Sequence, residues 1–142
     1  METKSDKITL GIVGIGYWGP NLLRNFTQLD KCWMKICCDI DEKSLKNVQS
    51  QYPEIKTTKQ YSDLIDDPEI QAIIISAPAV KHYEFAKLAI QNNKHVFVEK
   101  PLTLNIPDAE DLVRLAKEKN VKLMVGHLME YHPAIEKLKQ MI

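Results

Sequence analysis

The chain has 142 residues, 44% of them hydrophobic and 27% charged, with 19 Lys+Arg balanced by 19 Asp+Glu for a formal net charge of zero. That is enough for one domain with a proper core. The charge balance, without a basic or acidic block, argues against nucleic acid or an anionic membrane surface as partner, and no apolar run approaches the length of a membrane span.

Ile8–Val13 is apolar on both faces and predicts a central parallel strand. Gly14, Gly16 and Gly19 follow at once as G-x-G-x-x-G, and the stripe of Leu22, Leu23, Phe26 and Leu29 then predicts a helix with Pro20 in its first turn. Trp33–Cys38 predicts the second strand, ending at Asp39. Asp41 is the expected N-cap of a helix through Gln51, with Leu45, Val48 and Tyr52 inward. Ile55–Thr58 predicts a short strand and Tyr61–Ile65 a short helix. Gln71–Ser76 predicts a buried strand ending at Ala77-Pro78, followed by a helix over Val80–Asn92. His95–Val98 predicts another buried strand, ending at Glu99-Lys100-Pro101. Asn105 caps the next predicted helix, with Ala109, Leu112, Val113 and Ala116 as its stripe. Val121–Val125 is the last predicted strand, and Pro133–Ile142 has helical spacing at Ile135, Leu138 and Ile142.

Strands alternating with helices over short links predict an α/β fold, a Rossmann-type doubly wound parallel sheet in three layers. The start, M-E-T-K-S-D-K, lacks the order of a signal peptide. Cys32, Cys37 and Cys38 are odd in number and form no C-x-x-C, which argues against disulfides and for a reducing, cytoplasmic setting. His127, Glu130 and His132 fit no common zinc spacing, so no metal is expected.

In a doubly wound sheet the ligand lies beyond the carboxyl ends of the strands. Gly14 allows the tight turn, Gly16 lets a pyrophosphate approach the backbone, and Gly19 lets helix and strand pack closely. The amides at the helix start supply donors for phosphates. Asp39, 20 residues after Gly19, is the acid expected to accept from adenosine ribose hydroxyls. Its charge would repel a 2′-phosphate, so NAD is expected before NADP, although Lys43 stands nearby. Lys100, at a strand end, is the candidate catalytic residue. It can donate to a substrate oxygen during hydride transfer, and partial desolvation there would favour its neutral form.

The motifs G-I-G-Y-W-G, Asp39, S-A-P followed by H-Y-E, and K-H-V-F-V-E-K-P together resemble the glucose–fructose oxidoreductase/inositol dehydrogenase/MocA family, from about Ile8 to Pro133. The resemblance implies cofactor contacts at Gly14, Gly16, Tyr17, Trp18, Gly19 and Asp39. It places Lys100 by nicotinamide and substrate, with Pro101 often following a cis bond. Ser76, Pro78, His82 and Glu99 look like further cofactor-side positions, and His127 looks substrate-side. The G-Y-W-G-P-N variant is most similar to members acting on sugars or sugar nucleotides in polysaccharide biosynthesis.

Family members continue into a second α/β domain that binds substrate. The expectation is therefore an NAD(P)-binding domain over 1–142, with its core at about 7–127 and 128–142 starting the connection onward. Such a chain should bind NAD without turnover, and it should expose Ile135, Leu138 and Ile142, favouring self-association. Two other readings compete. One is a non-enzymatic NAD sensor or partner module. The other is an S-adenosylmethionine methyltransferase, in which nothing like E-K-P is expected.

Overall fold

The computed structural model describes residues 7–142; the expectation that M-E-T-K-S-D-K is no signal peptide falls, but for Lys7, outside them. Six strands form one parallel sheet: β1 (Ile8–Val13), β2 (Cys32–Cys38), β3 (Lys56–Thr58), β4 (Ala72–Ile75), β5 (His95–Val98) and β6 (Leu123–Val125). Their order is β3-β2-β1-β4-β5-β6. The helices between them are α1 (Gly19–Thr27), α2 (Glu42–Gln51), α3 (Ser62–Ile65), α4 (His82–Gln91) and α5 (Ile106–Glu118), and α6 (Pro133–Met141) follows β6. The chain starts in the middle of the sheet, winds outward to β3, then returns to lay β4 on the other side of β1. That reversal makes the β1/β4 boundary the topological switch point.

Alternation along the strands sends side chains into two separate cores. Ile73 and Ile75 pack with α3, α4 and α5 through Leu64, Ile90 and Leu112. Ile74, between them, packs on the opposite side with Ile12, Leu23 of α1 and Val48 of α2. Cys37 and Cys38 divide in the same way, one to each core. Burial pushes both thiols up, Cys38 to about 11, which leaves them as inert packing groups. Ile73, Ile74 and Ile75 are each at most 1% exposed. Burying each contributes about 1.5–3 kcal/mol, so this one strand accounts for much of the central layer.

Two expected caps are present. Asp41 accepts from the Ser44 amide at 2.9 Å, and Asn105 accepts from the Asp108 amide at 2.9 Å. Hydrogen bonds from Ser44 hold the Asp41 carboxyl below its usual range.

Several expectations are corrected. α1 ends at Thr27, so Leu29 falls outside the helical stripe and is 51% exposed. Val113 is 58% exposed, because rotation about α5 turns Leu115 rather than Val113 toward the core beside Leu112 and Ala116. The predicted 80–92 helix is present as α4 over His82–Gln91, with its first turn, Ala79–Lys81, a 3₁₀ turn. The last strand starts at Leu123 rather than Val121. No residue of α6 is buried; Leu138 and Ile142 are exposed as expected, whereas Ile135 is half-buried.

Lys94 escaped the sequence reading. It is 7% exposed, and its ammonium donates to the Asp67 and Ile70 carbonyls at 2.7 and 2.8 Å. Those bonds close the loop that enters β4, at the end of the sheet away from the glycine turn.

Candidate cofactor site

The site is built where β1 stops. Gly14 has φ +92°, and a Cβ there would collide with the Ala77 backbone. Only glycine permits this turn. The Gly14 amide donates to the Cys38 carbonyl at 2.9 Å, and its carbonyl accepts from the Ser76 hydroxyl. The first turn is thereby fastened to both flanking strands. A Cβ on Gly19 would strike the Gly14 carbonyl, so α1 can start this close to β1 only with glycine there.

Asp39 completes the turn. One carboxylate oxygen accepts from the Ile15 amide, and the other accepts from the Asp41 amide at 2.8 Å. The acid therefore ties the glycine turn to the start of α2 before any ligand enters.

The helix end that faces outward has the opposite character. The α1 N-cap, Trp18, makes no side-chain capping bond. Among the described residues, the amides of Gly16, Tyr17 and Trp18 donate to no protein acceptor. These are free donors at the positive end of a helix dipole, the arrangement that receives phosphate oxygens. Gly16 is the decisive position. A Cβ there meets nothing within 4 Å, so no protein packing demands a glycine. The space it leaves open lies in the cleft, and a side chain would fill it. The donor set and this space fit a dinucleotide pyrophosphate.

That cleft measures about 710 Å³ and runs across the carboxyl ends of β1, β2, β4 and β5. Its wall brings together Gly14, Gly16, Tyr17, Trp18 and Asp39 with Ser76, Pro78, His82, Glu99 and Lys100. Tyr17 is 97% exposed and Trp18 39%. Gly19, Pro101 and His127 are not part of this wall. Gly19 is buried behind the turn, Pro101 sits just past the rim, and His127 is exposed at the end of β6. Sequence reasoning missed Ile40, Ala77, Ala79 and Leu128, which also line the cleft. Ile40 carried a signal of a kind, an apolar residue between two aspartates, and it is 88% exposed.

At the other end of the cleft, Lys100 is exposed, and among the described residues its ammonium has no acceptor. The expected desolvation is absent, because Lys100 follows β5 onto the exposed rim of the cleft. The Lys100–Pro101 peptide is cis, as the resemblance implies. Glu99 accepts from the Lys100 amide at 3.3 Å through one oxygen, while its other oxygen is buried without a donor. His82 is 1% exposed. Its ring faces the Pro101 carbonyl at 2.6 Å through Nδ1 and the Ala77 carbonyl at 2.7 Å through Nε2. Among the described residues, no group of three or more His, Cys, Asp or Glu side chains is placed to hold a metal ion, and no helix is long and apolar enough to cross a membrane.

The chain is similar to known proteins. A profile described as an oxidoreductase family with an NAD-binding Rossmann fold matches residues 8–127. The chain is 31% identical over 135 residues to 2,7-anhydro-N-acetylneuraminate hydratase of Escherichia coli, covering 95% of this chain and 36% of that protein. It is 27% identical to myo-inositol 2-dehydrogenase of Thermotoga maritima, covering 94% of this chain and 40% of the relative. Biliverdin reductase of Synechocystis, solved with biliverdin and NADP+, superposes with a TM-score of 0.87 at 26% identity, over 94% of this chain and 42% of that one. The 142 residues thus span well under half the length of each of these proteins. The chain belongs to the glucose–fructose oxidoreductase/inositol dehydrogenase/MocA family of oxidoreductases and matches its NAD-binding Rossmann domain.

Proposed function

We propose that these residues are the cofactor half of an NAD-dependent oxidoreductase acting on a sugar or sugar nucleotide by hydride transfer. Residues 7–127 form the NAD(P)-binding core, and 128–142 begin the connection toward the substrate-binding part. One observation carries the reading: a single cleft joins the glycine turn, Asp39 and Lys100. A mere cofactor sensor has no use for an exposed ammonium at the far end.

Bound nicotinamide would supply the carbon that takes or gives the hydride. The chain's own residues do the rest. The free amides of Gly16, Tyr17 and Trp18 hold the pyrophosphate, and Asp39 accepts from the ribose hydroxyls. The Asp39 carboxylate favours NAD, because a 2′-phosphate would bring a second negative charge beside it. Lys100 donates through Nζ to a substrate oxygen and polarises its bond to the reacting carbon. The relatives named for inositol and neuraminate derivatives support a polyhydroxylated substrate.

The 142 residues build one wall of this site. Holding a substrate carbon against the nicotinamide can supply about 7–11 kcal/mol of barrier lowering, and that orientation needs a second wall. This chain by itself therefore binds NAD without sustained turnover. Calorimetry with NAD, NADP and S-adenosylmethionine tests the first half of this reading. NAD is expected to bind tightest and S-adenosylmethionine to give no heat; tighter NADP binding overturns the cofactor choice. NADH formation over a panel of sugars tests the second half. Lys100-dependent turnover of the purified chain at about 1 per second or faster contradicts it.

A further inference from the structure

We propose that His82 is a positioning residue that locks the Lys100 corner to the turn after β4, and so sets the nicotinamide end of the cleft. The sheet cannot do this. Regular pairing of β4 with β5 ends at Ile75 opposite Val98, and the last ladder bond runs from the Glu99 amide to the Ile75 carbonyl at 2.9 Å. Beyond it the two chains separate, one into Ser76–Pro78 and the other into Lys100–Pro101. Among the described residues, the only polar contacts that rejoin them run through the His82 ring, at 2.6 Å to the Pro101 carbonyl and 2.7 Å to the Ala77 carbonyl.

The placement suits a brace. His82 opens α4, directly after the 3₁₀ turn that begins at Ala79. Its ring is 1% exposed, so water does not compete for either carbonyl. The imidazole donates through one ring nitrogen to one of the two carbonyls, and the ring packs between both segments. An aliphatic side chain of similar size would fill the space and leave both carbonyls without a donor. The Ala77 carbonyl belongs to the same segment as Ser76, whose hydroxyl donates to the Gly14 carbonyl. The bonds therefore form a chain from the glycine turn through Ser76, Ala77 and His82 to Pro101, next to Lys100. His82 so placed serves the cofactor cleft proposed above and to that extent rests on it.

The test compares NAD with ADP-ribose, which lacks the nicotinamide, on wild type and His82→Gln. The expected result is an NAD affinity that falls about tenfold while ADP-ribose stays within about twofold. Equal losses for both ligands, or an unchanged ratio, overturn the positioning role. A ligand-free arm keeps the cofactor reading separate. In ¹⁵N-labelled protein, His82→Gln should move the amide signals of Lys100 and Leu102 while leaving those of β2 and α2 in place. No shift at Lys100 overturns the brace, and so does a disturbance spread through both cores. Should the variant fail to fold, the wild type decides by itself. Scalar coupling from a His82 ring nitrogen to the Pro101 or Ala77 carbonyl carbon supports the brace, and a ring N–H exchanging like that of an exposed histidine contradicts it. If wild type binds neither ligand, the cofactor reading fails while the brace is still decided by these signals.

Discussion

The two ends of the cleft are built on opposite terms. At the glycine turn, the Gly14 amide and carbonyl are both bonded to neighbouring strands, and both Asp39 oxygens accept from backbone amides. Among the described residues, the outward amides of Gly16, Tyr17 and Trp18 are left for a ligand. At the Lys100 corner, the ammonium is exposed and one Glu99 oxygen is buried without a donor. A preformed end costs little to fill, because its groups are already oriented. An open end gains its chemistry only when something covers it. On the proposed function, cofactor affinity resides in the first end and reactivity in what meets the second.

The largest effect tests whether the preformed end is a folding element. Gly14→Val forces a β-branched residue into positive φ and against Ala77. It should cost about 3 kcal/mol or more, read as a lower urea midpoint or loss of soluble protein. A variant as stable as wild type would mean that the turn is not constrained.

A smaller effect separates holding the loop from holding the ribose. Asp39→Ser should weaken NAD by about 1–3 kcal/mol and narrow the gap to NADP. Because Asp39 also ties Ile15 to Asp41, the urea midpoint should fall with it. Calorimetry beside urea titration checks both. An unchanged NAD affinity removes Asp39 from the site.

Smaller again is the aromatic pair. The backbone at Tyr17 and Trp18 faces the cleft at the helix start, so Trp18→Phe should leave NAD affinity within about twofold. A large loss would show that the indole ring itself carries binding.

The smallest effect lies away from the cleft and serves as a control. Lys87, Tyr83 and Arg114 together hold the Asp111 carboxyl down to about 2. Its folded-state value is depressed, so its contribution is fully present above the unfolded value of about 3.9 and is lost as pH falls toward 2. All these groups are partly or largely exposed, and salt screens them. Acid titration of Asp111→Asn should therefore differ from wild type only slightly, and only in that window. A difference at neutral pH would contradict this.

Much of the preformed end was legible in the sequence because its requirements are local. A strand, three glycines at fixed spacing and an acid after the next strand each answer to backbone sterics or charge, and Gly14, Gly19 and Asp39 sit where that logic puts them. Asp41 and Asn105 were legible for the same reason. Leu29 and Val113 misled because periodicity fixes neither where a helix stops nor how far it rotates. Ile40 and Leu128 were overlooked because an apolar residue on an exposed loop acquires meaning only from a cleft formed by distant segments. The bonds of His82 were invisible for a related reason: Ala77 is near it in sequence, but Pro101 is brought to it only by the packing of α4 beside β5.

The central claim is that the space at Gly16 belongs to a dinucleotide rather than to the protein. Gly16→Val measures it directly, since apart from its chain neighbours no protein atom lies within 4 Å of the added Cβ. The expected result is a urea midpoint close to that of wild type, within about 0.5–1 kcal/mol of stability, together with complete loss of the calorimetric signal for NAD. A variant that still binds NAD as wild type does would contradict the claim, and so would a wild-type chain that binds no NAD at all.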